Sequence, residues 1–162
     1  MTDSLSTVNG LAETMDHSLY FEDMAPGRSI ASQPHVISQD ELVAFAPVWD
    51  PLPIHVDEEA GVKAFGSLTA PGLYVLAVKQ RLIHTLPTLN VIASLGYDEV
   101  RFYAPLRPGD TVTLKMEWVS RRESTSKPDR GIVVLKFTLF NQEGVALMSH
   151  LDTVLVKRKL EP

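Results

Sequence analysis

Two side chains whose types and spacing could do chemistry stand five positions apart, Asp50 and His55, in the segment DPLPIH. Pro51 and Pro53 lie between them and fix the backbone, so the expectation is a stiff loop without regular helix, from which both side chains leave in defined directions. A carboxylate and an imidazole held this way can converge on one water molecule. Histidine exchanges a proton near neutral pH, and a nearby carboxylate can set its tautomer or itself take the proton. The bland alternative is Asp50 as a turn cap and His55 as a hydrogen-bonded core residue.

The elements that must position this pair can be read from the flanking pattern. Ser38 and Glu41 have the spacing of a capping box, and Leu42, Phe45, Ala46 and Trp49 give one apolar stripe. A helix is therefore predicted from Ser38, stopping near Ala46 because Pro47 lacks a backbone donor. Upstream, residues 30–37 alternate weakly around Pro34 and read as an edge strand. Downstream, Asp57 can cap a short helix whose first turn holds Glu58 and Glu59, with Gly66 after Phe65 as its terminator. From Pro71, the run PGLYVLAVKQRLIHTL is apolar on most sides except around Lys79 to Arg81, so a largely buried helix is predicted.

After Pro87 the pattern changes to strands, at 91–95, 99–103, 111–119, 131–140 and 145–157. The clearest alternates Val112, Leu114, Met116 and Trp118 with Thr111, Thr113, Lys115 and Glu117, which gives one buried and one wetter face. The segments RPGD, SKPDRG and NQEG carry turn residues, so the C-terminal half is predicted to be an antiparallel meander. One apolar helix followed by antiparallel strands is an α+β order, and the economical packing wraps the sheet round the helix. Residues 1–19 read as an N-terminal arm and 20–162 as one domain.

Composition narrows the function classes. Of 162 residues, 44% are hydrophobic and 22% charged, the balance of a globular domain. A formal charge of −5 argues against a nucleic-acid or anionic-membrane partner, and the lack of cysteine removes thiolate catalysis and disulfides. Asp3, Glu13 and Asp16 near the start do not read as a signal peptide, and a cytoplasmic location without membrane insertion is expected. His17, His35, His84 and His150 are scattered without ligand spacing, so no metal is expected, and GxxxxGK, GxGxxG and GxSxG motifs are missing. Arg101, Arg107, Arg121 and Arg122 could meet phosphates, although exposed arginines more often only solvate a surface.

The stretch WDPLPIHVDEEAGVKAFGSLTAPGLY resembles the MaoC-like (R)-specific enoyl-CoA hydratase/dehydratase family of the hotdog superfamily: Asp-x-x-Pro-x-His, an acidic Asp-Glu-Glu-Ala, Phe-Gly, then a glycine opening a buried helix. The strand half, LGYDEVRFYAPLRPGDTVTLKMEWVSRRESTSKPDRGIVVLKFTLFNQEG, extends the resemblance to about residues 20–159. The resemblance implies an α+β hotdog, a curved antiparallel sheet round a long central helix. It implies Asp50 and His55 as the catalytic pair, adding water reversibly to a trans-2-enoyl thioester to give the (R)-3-hydroxy product. Two positions depart from the family: Leu52 stands where members commonly carry Asn or Gln, and Pro71 where they commonly carry Ser or His.

Such a reaction needs a base for water, a proton source for the α-carbon and donors for the developing enolate oxygen. Asp50 is expected as the base and His55 as the partner that orients water and shuttles a proton, with the reverse division also open. The start of the helix near Pro71 offers free amides, that of Gly72 above all, as the thioester contact. Leu52, Phe65, Pro71 and Tyr74 complete the expected substrate-binding set, Tyr74 either lining the acyl pocket or simply packing. The expected partner is an acyl-CoA or acyl-carrier thioester, with coenzyme A entering only as part of the substrate and no other cofactor. A homodimer or dimer-based oligomer is expected, because one hotdog sheet leaves an edge and a face uncovered. Two other functions compete: a hotdog thioesterase, in which water is directed at the thioester carbonyl, and a non-catalytic acyl-CoA or lipid-binding module.

Overall fold

The structure is a computed structural model that describes residues 18–159. The arm expected at residues 1–19 falls almost wholly outside the described residues. Leu19, at its end, already pairs with the domain through a parallel bridge to Leu89.

Two short strands, β1 (Ser29–Ala31) and β2 (His35–Val36), both pair with the long strand β4, as a segment interrupted by Pro34 should. Helix α1 (Gln39–Trp49) starts where Ser38 Oγ accepts the Glu41 amide. It does not stop near Ala46 as predicted but runs through Pro47. Val43 and Pro47 both lie on the exposed side, so the carbonyl that proline leaves unbonded faces away from the core, and the Asp50 amide still closes the last turn on Ala46. Helix α2 (Pro53–Val56) is a second correction, because the supposed stiff loop contains one helical turn. Pro53 sits at its first position, where the missing N–H costs nothing. Helix α3 (Glu58–Phe65) follows expectation: Asp57 caps the Ala60 amide at 2.8 Å, and Gly66 ends it in the left-handed region at φ +78°.

Helix α4 (Gly72–Ile83), with Pro71 at its N-cap, runs against the sheet and buries Tyr74, Val75, Val78, Lys79 and Leu82. The sheet is antiparallel in the order β1–β4–β5–β6–β3, where β3 is Val91–Phe102, β4 Thr111–Glu123, β5 Arg130–Phe140 and β6 Ala146–Lys157. The predicted meander holds for β4, β5 and β6. β3 instead lies beside β6 at the far edge, and the two strands predicted at 91–95 and 99–103 are one strand with three register shifts. Val112, Leu114, Met116 and Trp118 are buried as their alternation requires, and they join Val133, Leu135, Phe137 and the α4 residues in one core. The fold is thus α+β, one curved sheet packed round a central helix.

Candidate active site

Asp50 is the residue at the end of α1, and His55 lies on the single turn of α2, so the two arrive from consecutive elements. His55 Nε2 and Asp50 Oδ2 stand 3.8 Å apart. The imidazole is buried and the carboxylate side chain about one-third exposed, at 33%. His55 Nδ1 lies 2.7 Å from the Thr69 carbonyl, a pure acceptor, so Nδ1 must carry the hydrogen and donate it. In the neutral ring Nε2 then presents its lone pair towards Asp50. Two acceptors at this separation can hold one water by its two hydrogens, or can share a proton, which is the arrangement a water-activating pair needs.

The Thr69 carbonyl also ties this pair to α4. Gly72 follows Thr69 by three residues, so the helix start lies within about 10 Å of the backbone that holds the imidazole. The Thr69 and Ala70 amides are held by the carbonyls of Ile54 and Leu106, which fix this strap on both sides. The first intrahelical bond of α4 runs from the Val75 amide to the Pro71 carbonyl, so the amides of Gly72, Leu73 and Tyr74 precede the helical ladder. They carry the positive end of a twelve-residue helix. Gly72 also has a packing reason: a Cβ there would stand 2.9 Å from the Phe102 ring of β3.

The remaining expected residues divide. Pro71 caps α4 and is buried; Leu52 caps α2 and is half-exposed. Both put an apolar group where polar ones were expected from the resemblance. Tyr74 turns its ring edge-on to Phe45 of α1, at 5.3 Å, and burial together with the Glu41 carboxylate raises its phenol above the ordinary range. Phe65 ends α3 with its side chain exposed. The arginines do not assemble one phosphate site: Arg107 donates to Ser67 Oγ, Arg101 to its neighbouring carbonyl at Val100, and Arg121 to the carbonyls of Phe21 and Glu22. Among the described residues, no three histidine or carboxylate side chains converge to hold a metal ion. Sequence reasoning missed Thr69, whose contribution is a backbone carbonyl that any residue type could supply. It also missed that Lys79, expected on the wetter side of its helix, is fully buried.

A sheet of this order wrapped on one helix is the hotdog architecture. A Mycobacterium tuberculosis protein with a double hotdog fold superposes on 90% of this chain with a TM-score of 0.76 at 24% identity, over 46% of its own length. The MaoC-like domain model matches residues 22–138, and the chain belongs to that family. The MaoC-like dehydratase from Rhodospirillum rubrum is 31% identical, with a TM-score of 0.81 over 89% of this chain and all of that one. A mesaconyl-CoA hydratase from Cereibacter sphaeroides is 27% identical over 143 residues, 86% of this chain. The chain spans only 41% of that relative's length. Among the described residues no helix is long and apolar enough to cross a membrane.

Proposed function

We propose that this chain is an acyl-thioester hydratase/dehydratase, adding water reversibly to a trans-2-enoyl-CoA to give the (R)-3-hydroxyacyl-CoA. The observation that carries the reading is the placement of His55 Nε2, its tautomer set by Thr69, at 3.8 Å from Asp50 Oδ2. Membership of the MaoC-like family and relatives named as hydratases and dehydratases support it.

In the hydration direction, water held between the pair attacks the β-carbon, and its proton passes to Asp50 with His55 orienting the oxygen. The electron pair of the double bond moves towards the thioester oxygen, where the amides at the start of α4 meet the developing negative charge. The enolate then takes the stored proton at its α-carbon, so the product has gained one water and the pair is regenerated. Coenzyme A takes part only as the carrier of the acyl group. The edge of β3, last in the sheet order and largely exposed, is the surface we assign to a second copy, with substrate entering near the subunit boundary.

The test is to mix the purified chain with short and medium trans-2-enoyl-CoAs and follow loss of the conjugated thioester's absorbance while assaying free thiol. Absorbance loss without thiol, with an (R)-3-hydroxy product, is the expected result. Thiol release would replace the reading with a thioesterase, and no change in either signal would leave a binding module.

A further inference from the structure

The Asp50 carboxylate has little of its own to hold it. Among the described residues its charged neighbour is His55, at 3.8 Å, and no side chain donates a hydrogen bond to it. Its place therefore follows from where the end of α1 lies. The Asp50 amide closes on the Ala46 carbonyl at 2.9 Å, so the carboxylate moves with the last turn of that helix. Whatever fixes this turn against α4 also sets the distance between the proposed base and the free amides at the start of α4.

Helices α1 and α4 meet in antiparallel order at two places. Glu41, in the first turn of α1, pairs with Arg81, in the last turn of α4, at 3.1 Å. Phe45, one turn further along α1, meets Tyr74 in the first turn of α4. The ion pair is the weaker tie, since its two side chains are 49% and 59% exposed and exposed pairs hold little. The aromatic tie is buried on the Tyr74 side, and the rings stand edge-on with centroids 5.3 Å apart. Phe45 in turn lies 6.2 Å from the ring of Trp49, the residue before Asp50. This tie is made by the ring alone. The Tyr74 hydroxyl is buried with no acceptor in hydrogen-bonding geometry, while the nearby Glu41 turns both oxygens to Arg81. Tyr74 thus belongs to both halves of the site. Its amide is one of the three that precede the helical ladder of α4, and its ring is the buried contact with the helix that ends at Asp50. From Phe45 to Asp50 is about 7.5 Å along α1, so a shift at the ring contact reaches the carboxylate.

We propose that Tyr74 is a positioning residue for the hydration step: its ring, against Phe45, sets how far the Asp50 carboxylate stands from the free amides of α4. This rests on the hydratase reading above and names a residue that serves it without touching the reacting atoms. A smaller side chain at this position lets the end of α1 settle, and a misplacement of about 1 Å between base and oxyanion donors costs on the order of 10²-fold in rate. The thioester is met by the amides and not by the ring, so substrate affinity should change little.

Tyr74→Leu and Tyr74→Phe, each checked first by thermal unfolding, are compared with the native chain in turnover of a trans-2-enoyl-CoA. Tyr74→Leu should lose about 10–100-fold in kcat with KM within about threefold of native. Tyr74→Phe keeps the ring and drops only an unpaired hydroxyl, so it should keep native kcat. Phe45→Leu should copy Tyr74→Leu, and the double variant should fall no further than either alone, because both break one contact. Iodide quenching supplies a reading that needs no turnover: it reports the exposed Trp49 at the end of α1 and not the buried Trp118, and it should differ from native in Tyr74→Leu but not in Tyr74→Phe. If Tyr74→Leu is unfolded, Tyr74→Met takes its place. Native kcat in Tyr74→Leu, or an equal loss in Tyr74→Phe, overturns the proposal. So does a rise in KM at unchanged kcat, which would make Tyr74 a wall of the acyl pocket. A native chain that hydrates nothing removes the hydratase reading, whereas Trp49 quenching left unchanged by Tyr74→Leu removes the positioning role, so the two failures are told apart.

Discussion

Strands β4 to β6 and strand β3 are of nearly equal length, yet they do different work. Over most of its length β4 alternates strictly between buried and half-exposed residues, and it pairs with β5 in a register broken once. β3 is exposed along nearly its whole length and shifts register against β6 three times. Glu99, at φ +53°, and Gly96, at φ +155°, stand within these irregularities. The regular strands build the core on which α4 rests. The irregular strand brings Phe102 to Gly72, at the start of α4, and Tyr97 to Lys79, two turns further along it. Core packing therefore concentrates in β4 to β6, while β3 packs less regularly and stays open at the edge.

The same substitution made in both regions separates them most widely. Leu139 of β5 is fully buried and Leu95 of β3 is 57% exposed. Leu139→Ala should cost about 2–5 kcal/mol in denaturant unfolding, from lost burial and the cavity left behind. Leu95→Ala should leave the unfolding of the single chain within about 0.5 kcal/mol and weaken self-association in sedimentation. Comparable losses at both sites would erase the distinction.

A subtler difference comes from Lys79, a fully buried lysine packed against β3. Burial depresses its folded pKa to about 8 from the ordinary lysine value of 10.5, so between those limits the unfolded chain binds more protons than the folded one. The burial penalty is present in full below pH 8 and fades as pH rises towards 10.5. This contribution should raise the melting temperature over that window, and Lys79→Met should flatten the rise. A wild-type profile that matches the variant's would mean that the ammonium is not desolvated.

How much of this was legible in the sequence followed the same division. The period-two alternation of residues 111–118 has one physical meaning, a half-buried strand, and it was read correctly. In β3 the sequence VIASLGYDEVRF contains a glycine and a charged run, and it read as two strands because bulges break the period that such reading depends on. Pro47 predicts a helix end because its lost hydrogen bond is visible in sequence, while the placement of Val43 and Pro47 on the exposed side of α1, where the loss is tolerable, is not. At the candidate site the types and spacing of Asp50 and His55 were legible. The short helix that carries His55 and the Thr69 carbonyl were not: two prolines in DPLPIH read as a loop, and a backbone acceptor leaves no mark on residue type. The run around Lys79 to Arg81 marks the polar side of α4 in the sequence, but helical polarity cannot show that Tyr97 lies over Lys79 and buries it.

The central claim is that Asp50 and His55 act together on one water. Turnover of a trans-2-enoyl-CoA by Asp50→Asn and His55→Ala, measured beside the native chain and with thermal unfolding to confirm the fold, tests it most directly. A fall of about 10²–10⁴-fold in kcat in each, with little change in KM, is expected for loss of a proton-transferring group. Native-like turnover in either variant would contradict the claim.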